Sequence, residues 1–263
     1  MLRQPEEVTL HDGRYEYRFV CRTKKERNRA RRLLSKETGT IAWIDRHLRA
    51  GDVFYDIGAN IGAYTIFAGH RLGDSGQVIA FEPHIPNANS LIQNVFANGL
   101  DRRVAIVTAA LSREPGYGRF NYYAMQAGTS SSQYGHASLE GQPFEPQFAE
   151  IKHGCTVDAL CDGGLIPPPD LVKIDVDGLE LDVLEGMRHV MTAAERPRSV
   201  QVELSAQNAA RVEAFMAACG FAVTDRQWSD SALGHIANGQ PRETLPHNAV
   251  FMRLEQGSAG VTA

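Results

Sequence analysis

Acidic residues recur in this sequence at the ends of short apolar runs. The first run ends at Asp56, and Gly58 and Gly62 follow it in the pattern Asp-x-Gly-x-x-x-Gly. A second run ends at Glu82 and a third at Asp175. Apolar runs bounded by turn residues are typical of buried parallel strands, whose carboxyl ends meet at one edge of a sheet. Gathered there, the carboxylates could bind hydroxyl or cationic groups of a ligand, or accept a proton.

The elements around Asp56 must position these groups. Residues 53–56 predict a strand, and residues 63–72 carry apolar side chains at helical spacing. Strand, glycine turn and helix together open a nucleotide-binding α/β unit. Gly58 would let the backbone approach a ligand, and Gly62 would let the helix start pack close to the strand.

A second predicted strand, residues 77–83, places Glu82 near its tip. An acid in this position can accept two hydrogen bonds from a ribose diol. The alternative is that Asp56 and Glu82 each merely cap the helix after their strand. Because both acids are present, we favour ligand binding.

The glycine spacing then discriminates between two classes of cofactor. The dinucleotide fingerprint G-x-G-x-x-G is absent. Asp56 stands two residues before the first glycine, where it would repel a pyrophosphate and attract the methionine ammonium of S-adenosylmethionine. We therefore expect S-adenosylmethionine as the cofactor. The residues expected to bind it in this region are Asp56, Gly58, Asn60, Gly62 and Glu82.

Further strands complete the predicted sheet. Residues 103–111 form strand three, and Ala110 near its end would leave room for the flat adenine ring, although alanine is also ordinary in a packed strand. Residues 199–205 form strand five and place Glu203 at the same edge as the other acids. An antiparallel pair, 221–223 with 248–254, closes the sheet.

Asp175 is the leading candidate for a catalytic residue, Asp177 is the second, and Asp175 is also expected to contact the cofactor. It ends a fourth strand beside the one that ends at Asp56, and Asp177 lies two residues beyond it. An alcohol loses its proton as it attacks a methyl group, so a carboxylate here could act as general base. Asp175 could instead hold a divalent cation together with Glu203, but two carboxylates alone do not favour a metal site. As a third alternative Asp175 caps the following helix, a role for which Asp177 competes.

The composition limits the classes of protein to which this chain can belong. The chain has 263 residues, 43% of them hydrophobic, and a net charge of -4, which gives no overall attraction to nucleic acid or to an anionic membrane. The first seven residues lack the apolar core of a signal peptide, and no apolar run is long enough to span a bilayer. The four cysteines show no metal-binding spacing and read as free thiols. We expect a soluble, cytoplasmic protein.

The expected domain organisation has three parts. Residues 1–50 form an extension with a hairpin and a basic helix, 51–254 form the catalytic domain with an insertion at 112–168, and 255–263 form a flexible tail. Segment 22–32 holds seven basic residues and one acid, which is either a phosphate-binding patch or one solvated face of a helix. The insertion is either a disordered loop or, as we favour, a substrate lid containing edge strands near 118–123 and 155–160.

Three motifs, in this order, resemble the FkbM family of S-adenosylmethionine-dependent methyltransferases. They are Asp56-Ile57-Gly58-Ala59-Asn60-Ile61-Gly62, Phe81-Glu82-Pro83 and Lys173-Ile174-Asp175-Val176-Asp177-Gly178-Leu179-Glu180. The resemblance covers about residues 37–254. It implies the α/β, Rossmann-like class I methyltransferase fold with a seven-stranded sheet, and O-methylation of a sugar, polyketide or other natural product. The family commonly has Glu at the position of Asp177 and His at that of Leu179. An acid before the sheet is matched by Glu37, which the resemblance places on the cofactor side.

The expected partner is therefore a small-molecule hydroxyl acceptor, either free or linked to a carrier or a nucleotide. One alternative is methylation of an RNA nucleoside, with the basic helix as its footprint. A second is a module that binds S-adenosylmethionine without catalysis. Neither the Asn/Asp-Pro-Pro-aromatic loop of amino-methylating enzymes nor a cysteine nucleophile follows strand four. The sequence does not decide the oligomeric state, and a dimer is compatible with it.

Overall fold

The computed structural model describes residues 4–136, 138–139, 142–193 and 195–254. The predicted flexible tail, 255–263, lies outside the described residues. Four elements precede the central sheet: β1 (Glu6–His11), β2 (Glu16–Cys21), α1 (Lys24–Arg31) and α2 (Thr38–His47). β1 and β2 pair antiparallel as predicted. Alternate residues of β2 are buried, and Tyr17 and Phe19 pack in one cluster with Trp43 of α2 and Phe54 of the sheet.

The first half of the central sheet follows. Its elements are β3 (Val53–Ile57), α3 (Ala63–Arg71), β4 (Gln77–Phe81), α4 (Ile85–Ala97) and β5 (Val104–Val107). Every residue of β3 is buried, as expected for a strand covered on both faces. The predicted third strand is too long: β5 ends at Val107, and Ala110 pairs with Gly154 in a different sheet. Apolar patterning alone could not reveal this change of partner, because both segments are apolar.

The insertion forms sheets of its own. Its elements are β6 (Ala110–Leu111), β7 (Gly116–Tyr122), β8 (Gln133–Tyr134), β9 (Ser138–Leu139), β10 (Gln142–Pro143), β11 (Phe148–Cys155) and α5 (Val157–Asp162). Strands β6, β11, β7 and β8 make a four-stranded sheet in that order, and β9 pairs with β10. The predicted strand at 155–160 is wrong beyond Cys155. There the Thr156 side chain accepts a hydrogen bond from the Ala159 N–H at 3.0 Å and starts a helix.

The second half of the sheet closes the fold. Its elements are β12 (Leu171–Ile174), α6 (Glu180–Glu185), α7 (Arg188–Thr192), β13 (Ser199–Leu204), α8 (Ala209–Ala218), β14 (Phe221–Gln227), α9 (Asp230–Ala237), a 3-10 turn (Arg242–Thr244) and β15 (His247–Arg253). The helical segment after β12 is divided into α6 and α7 near Gly186, where a Cβ atom would lie 2.1 Å from the Ser112 carbonyl oxygen of the insertion.

The central sheet has seven strands in the order β14, β15, β13, β12, β3, β4, β5. The strands from β13 to β5 in this order are parallel, and β15 runs antiparallel to both of its neighbours. The predicted α/β fold with a seven-stranded sheet is therefore confirmed. Register places Lys173 of β12 beside Asp56 of β3, and the carboxyl ends of the parallel strands define one edge, called here the carboxyl edge. Within the residues described, no helix is both long and apolar enough to cross a bilayer.

Candidate active site

Three hollows lie along the carboxyl edge. The first, called the inner cavity, has a volume of about 770 Å³. Among the residues that line it are Gly58, Asn60, Glu82, Ala110, Asp175 and Asp177. The structure therefore brings together six residues that the sequence singles out, from the ends of β3, β4, β6 and β12.

A smaller side cavity of about 480 Å³ adjoins the inner cavity and shares Gly58, Asn60 and Asp175 with it. Glu37 lines this side cavity, where its Oε2 accepts a hydrogen bond from the Tyr64 hydroxyl at 2.8 Å. The two cavities therefore lie side by side at the glycine turn.

The third hollow, called the outer cleft, has a volume of about 1070 Å³ and shares Asp177 with the inner cavity. Glu203, at the tip of β13, also lines it. Its other walls include β8 of the insertion, the start of α6, the start of α8 and Pro246. Asp177 therefore stands between an inner and an outer compartment.

Glu82 is buried at the tip of β4, with 5% of its surface exposed. Its Oε2 accepts a hydrogen bond from the Asn60 N–H at 2.7 Å, and its Oε1 accepts one from the His84 N–H at 2.9 Å. Burial raises the pKa of Glu82 to about 7, although these hydrogen bonds, one from Asn87 and the charge of Arg29 oppose the rise. Each oxygen keeps a lone pair that could accept a ligand hydroxyl.

Asp56 is fully buried behind the glycine turn and does not line the three hollows. Its Oδ2 accepts a hydrogen bond from the Thr65 hydroxyl at 2.6 Å, while its Oδ1 has no partner among the described residues. Burial raises the pKa of Asp56, against the positive charge of Lys173. A direct contact between Asp56 and a ligand ammonium stays a prediction. The buried position of Asp56 favours an indirect effect on the ligand, through the glycine turn and through Lys173.

The two motif glycines, Gly58 and Gly62, pack against elements other than those that the sequence predicted. Gly58 has φ 83°, and a Cβ atom there would lie 1.9 Å from the Asp175 carbonyl oxygen. The close approach is therefore to the neighbouring strand β12, at a position where the backbone also favours glycine. At Gly62, with φ 89°, a Cβ atom would lie 2.5 Å from Leu91 of α4. Neither result tests the prediction that a cofactor binds beside this turn.

Asp175 belongs to a chain of coupled charges. Its Oδ2 lies 3.0 Å from the Lys173 Nζ, and Lys173 itself is buried, with its Nζ 4.9 Å from the centre of the Tyr64 ring. Burial alone would raise the pKa of Asp175, but the charge of Lys173 and hydrogen bonds from Glu203 and Lys173 hold it at about 2. The negative charge of Asp175, then burial, raise the pKa of Glu203 well above its usual range. Of the two acids, Glu203 is therefore the one that more readily keeps a proton, and in that form it donates a hydrogen bond to Asp175.

Asp177 has a different environment. Its Oδ2 accepts a hydrogen bond from the Ser131 N–H at 2.7 Å, and its carbonyl oxygen accepts one from Gln133 Nε2 at 2.7 Å. Burial and then the charge of Asp175 raise the pKa of Asp177. Among the described non-glycine residues, Asn60, Ser131 and Asp177 have positive φ, and all three line the inner cavity. Such backbone strain concentrates at functional sites.

Residues 128–132 of the insertion, called here the strap, cross the mouth of the inner cavity. The Thr129 carbonyl oxygen accepts hydrogen bonds from the side chains of Asn60 and Asn87, both at 3.0 Å. Arg29 of the basic helix, which also lines the inner cavity, contacts the strap, with its Nε 2.7 Å from the Gly128 carbonyl oxygen. In the same helix, Arg27 and Arg31 pair with Glu6. The sequence suggested either a phosphate-binding patch or a solvated helix face, and neither interpretation includes this contact with the insertion.

No group of three His, Cys, Asp or Glu residues suitable for a metal ion was found within the described ranges. Asp175 and Glu203, the weak metal candidates, are instead hydrogen-bonded to each other. All four cysteines are free thiols.

Sequence reasoning missed several residues of the site. Lys173 carries a usable signal, because a lysine inside a short apolar strand is unusual unless its charge is paired. Ser131, Gln133 and Arg29 carry no such signal, because a long insertion or the N-terminal extension delivers each of them to the site.

Comparisons with known proteins agree with this geometry. Residues 56–223 match the model of the methyltransferase FkbM domain. The hexuronic acid methyltransferase AglP of Haloferax volcanii is 28% identical to this chain over 185 residues, covering 67% of this chain and 66% of that protein. The aligned region thus spans just under two thirds of that relative.

A solved structure shares the fold. A protein provisionally named an rRNA methylase, from Clostridium thermocellum, superposes with a TM-score of 0.51 at 13% identity, covering 85% of this chain and 98% of that chain. Methyltransferase FkbM from Methylobacillus flagellatus KT gives a TM-score of 0.49 at 14% identity, covering 78% of this chain and 44% of that chain. At 13% identity the likeness to the Clostridium thermocellum protein concerns the fold alone.

The matched region covers more than half of the chain and contains the glycine turn, Glu82, Asp175 and Asp177. The chain belongs to the FkbM family of methyltransferases.

Proposed function

We propose that this chain transfers the methyl group of S-adenosylmethionine to a hydroxyl of a sugar. The observation that carries the proposal is the position of Asp177, which lines both the inner cavity and the outer cleft. A methyl donor in the first compartment and an acceptor in the second would meet at this wall. In-line displacement requires such an alignment of nucleophile and methyl group.

The inner and side cavities fit the cofactor. Glu82 offers two carboxylate oxygens to a ribose diol, and Asn60 offers a buried Oδ1 that has no partner among the described residues. In the side cavity, Glu37 and Asp175 suit an ammonium, and Lys36 suits a carboxylate. When bound, the cofactor supplies an electrophilic methyl carbon and keeps the electron pair of the broken carbon–sulfur bond.

Asp177 is better suited than Asp175 to accept the hydroxyl proton. A general base works best when its pKa lies near the working pH, and Lys173 holds the pKa of Asp175 at about 2. The pKa of Asp177 is raised instead. We therefore propose Asp177 as the base and Asp175 as a fixed negative charge that faces the cofactor. The family's usual Glu at this position would carry the same acid on a longer side chain.

A sugar is the favoured acceptor because the relative named above is a hexuronic acid methyltransferase. The insertion would cover the bound substrates, since its strap already crosses the inner cavity. RNA is the less favoured acceptor. Arg27 and Arg31, which would belong to its footprint, are engaged by Glu6, and Arg29 is engaged by the strap.

The test is methyl transfer from labelled S-adenosylmethionine to a panel of neutral sugars, sugar acids, nucleotide sugars and total RNA. We expect label in a sugar and its loss in Glu82→Ala. Glu7→Ala, which removes an exposed carboxylate of β1, serves as the matched control and should keep full activity. Label that appears only in RNA would reject the sugar acceptor.

A further inference from the structure

The outer cleft has a cation that the proposed chemistry does not use. Arg211 lines the cleft from the first turn of α8. Its guanidinium makes no hydrogen bond or ion pair with any residue that the structure describes, and its side chain is exposed. An arginine that faces a cleft without a partner is available to an anionic ligand.

The acids of the same cleft do not neutralise Arg211. Glu180 accepts hydrogen bonds from the Gly178 N–H at 2.9 Å and from Asn208 Nδ2 at 2.7 Å. Glu203 is hydrogen-bonded to Asp175, and Asp177 accepts the Ser131 N–H. These carboxyl groups are therefore engaged by other groups, while the Arg211 guanidinium has no partner within the described part of the chain.

Gln133 gives an independent indication of a ligand. Its side chain is 1% exposed and lines the cleft. The Nε2 donates to the Asp177 carbonyl oxygen at 2.7 Å, while the Oε1 is buried without a partner among the described residues. Buried polar atoms are nearly always paired, and an orphaned carbonyl oxygen needs a donor. A ligand hydroxyl would supply that donor.

We propose that the outer cleft binds a sugar acid, with its carboxylate on Arg211 and one hydroxyl donating to the Gln133 Oε1. This inference rests on the proposed function and specifies its substrate class. A planar carboxylate matches a single guanidinium through two parallel hydrogen bonds. A dianionic phosphate would face the acids of the cleft with one arginine to balance it, so a carboxylate fits better.

The same charges orient the acceptor. A carboxylate at the inner end would approach the ionised Asp175, whereas a hydroxyl there can donate its proton to Asp177. The oxygen then bonds to the methyl carbon as the carbon–sulfur bond breaks, with the electron pair left on sulfur. The product is therefore a methyl ether that retains its free carboxylate.

The test compares three acceptors: methyl glucuronoside, methyl glucoside and glucose 6-phosphate. We expect the wild type to favour the glucuronoside over the glucoside at least tenfold in kcat/KM. Arg211→Gln should lower kcat/KM for the glucuronoside about 10–100-fold, mainly through KM, because a hydrogen-bonded charge pair is lost. The glucoside should be unaffected, and Arg211→Lys should recover part of the loss. Arg102→Gln, an exposed arginine at the amino end of β5, is the matched control and should change nothing.

Four results would overturn the inference while leaving sugar methylation intact. They are equal turnover of glucuronoside and glucoside, an equal effect of Arg211→Gln on both, preference for the sugar phosphate, and an alkali-labile methyl ester as product. Methylation of none of the three acceptors, in a protein that still binds S-adenosylhomocysteine, would overturn the inference together with the sugar acceptor.

Discussion

The inner cavity and the outer cleft lie on two sides of Asp177 but are built differently. The inner cavity is formed largely by the ends of parallel neighbouring strands, whose register fixes Asp56, Lys173 and Asp175 close together. The outer cleft is assembled from β8 of the insertion together with the tip of β13 and the start of α8, which lie much further along the chain. Inner charges are paired and interdependent, whereas Arg211 of the outer cleft has no described partner. The inner charges therefore contribute to the stability of the fold, whereas Arg211 is free to vary with the ligand that the outer cleft binds.

The largest expected effect comes from breaking the inner network. Lys173→Met removes the cation that Asp175 and Asp56 share, and loss of one partner of a buried ion pair typically costs about 3–5 kcal/mol. Arg211→Gln should change the free energy of unfolding by less than about 0.5 kcal/mol. Urea unfolding of both variants measures the contrast.

Substitution of an exposed lysine tests whether the expected loss of stability depends on burial of the charge. Lys36→Met removes an exposed lysine that pairs with Glu37 in the side cavity, and it should cost no more than about 1 kcal/mol. If Lys173→Met proves as mild as Lys36→Met, the inner charges are not interdependent and the comparison fails.

The contrast also explains what the sequence could predict. The central sheet was predictable because its strands are buried on both faces and so read as continuous apolar runs that end at acids. Asp56, Glu82 and Asp175 meet at one edge for the same reason. The break after Val107 was not predictable, because Ala110 continues the apolar pattern while it joins another sheet.

The outer cleft could not be predicted from the sequence, because distant segments of the chain form it. Gln133 reaches it on a short strand of a long insertion, and Arg211 reaches it on a helix near the other end of the chain. Neither residue stands in a local pattern that encodes its neighbours. Even Asp177, which the sequence did identify, owes its environment to Ser131 of the strap.

The next largest effect tests which acid at the shared wall accepts the proton. Asp177→Asn keeps the shape of the side chain and should lower kcat by about 10²-fold or more, with cofactor affinity nearly unchanged. Asp175→Asn removes the charge that faces the side cavity, so it should weaken cofactor binding as well as the rate. Turnover kinetics together with calorimetric titration of S-adenosylhomocysteine distinguish the two patterns. A large loss of kcat in Asp175→Asn alone would restore Asp175 as the base.

The smallest expected effect concerns pH and the inner cavity alone. The pKa of Glu82 is raised to about 7, so its carboxylate is largely protonated at pH 6 and largely ionised at pH 8. The ionised form accepts hydrogen bonds from a ribose diol, and affinity for S-adenosylhomocysteine should therefore fall as pH falls through 7. If only the ionised form binds, the change between pH 6 and pH 8 is about tenfold.

Glu82→Gln provides the control for this titration, because an amide does not ionise in this range. The variant should bind more weakly at pH 8, by about 1–3 kcal/mol for the lost charged hydrogen bonds, and its affinity should be independent of pH from 6 to 8. The neighbouring His84 is less suited to mimic the effect, since burial lowers its pKa and so moves its titration away from pH 7. The guanidinium of Arg29 also faces Glu82. A pH dependence that persists in Glu82→Gln would assign the titration to another group and remove Glu82 as the ribose ligand.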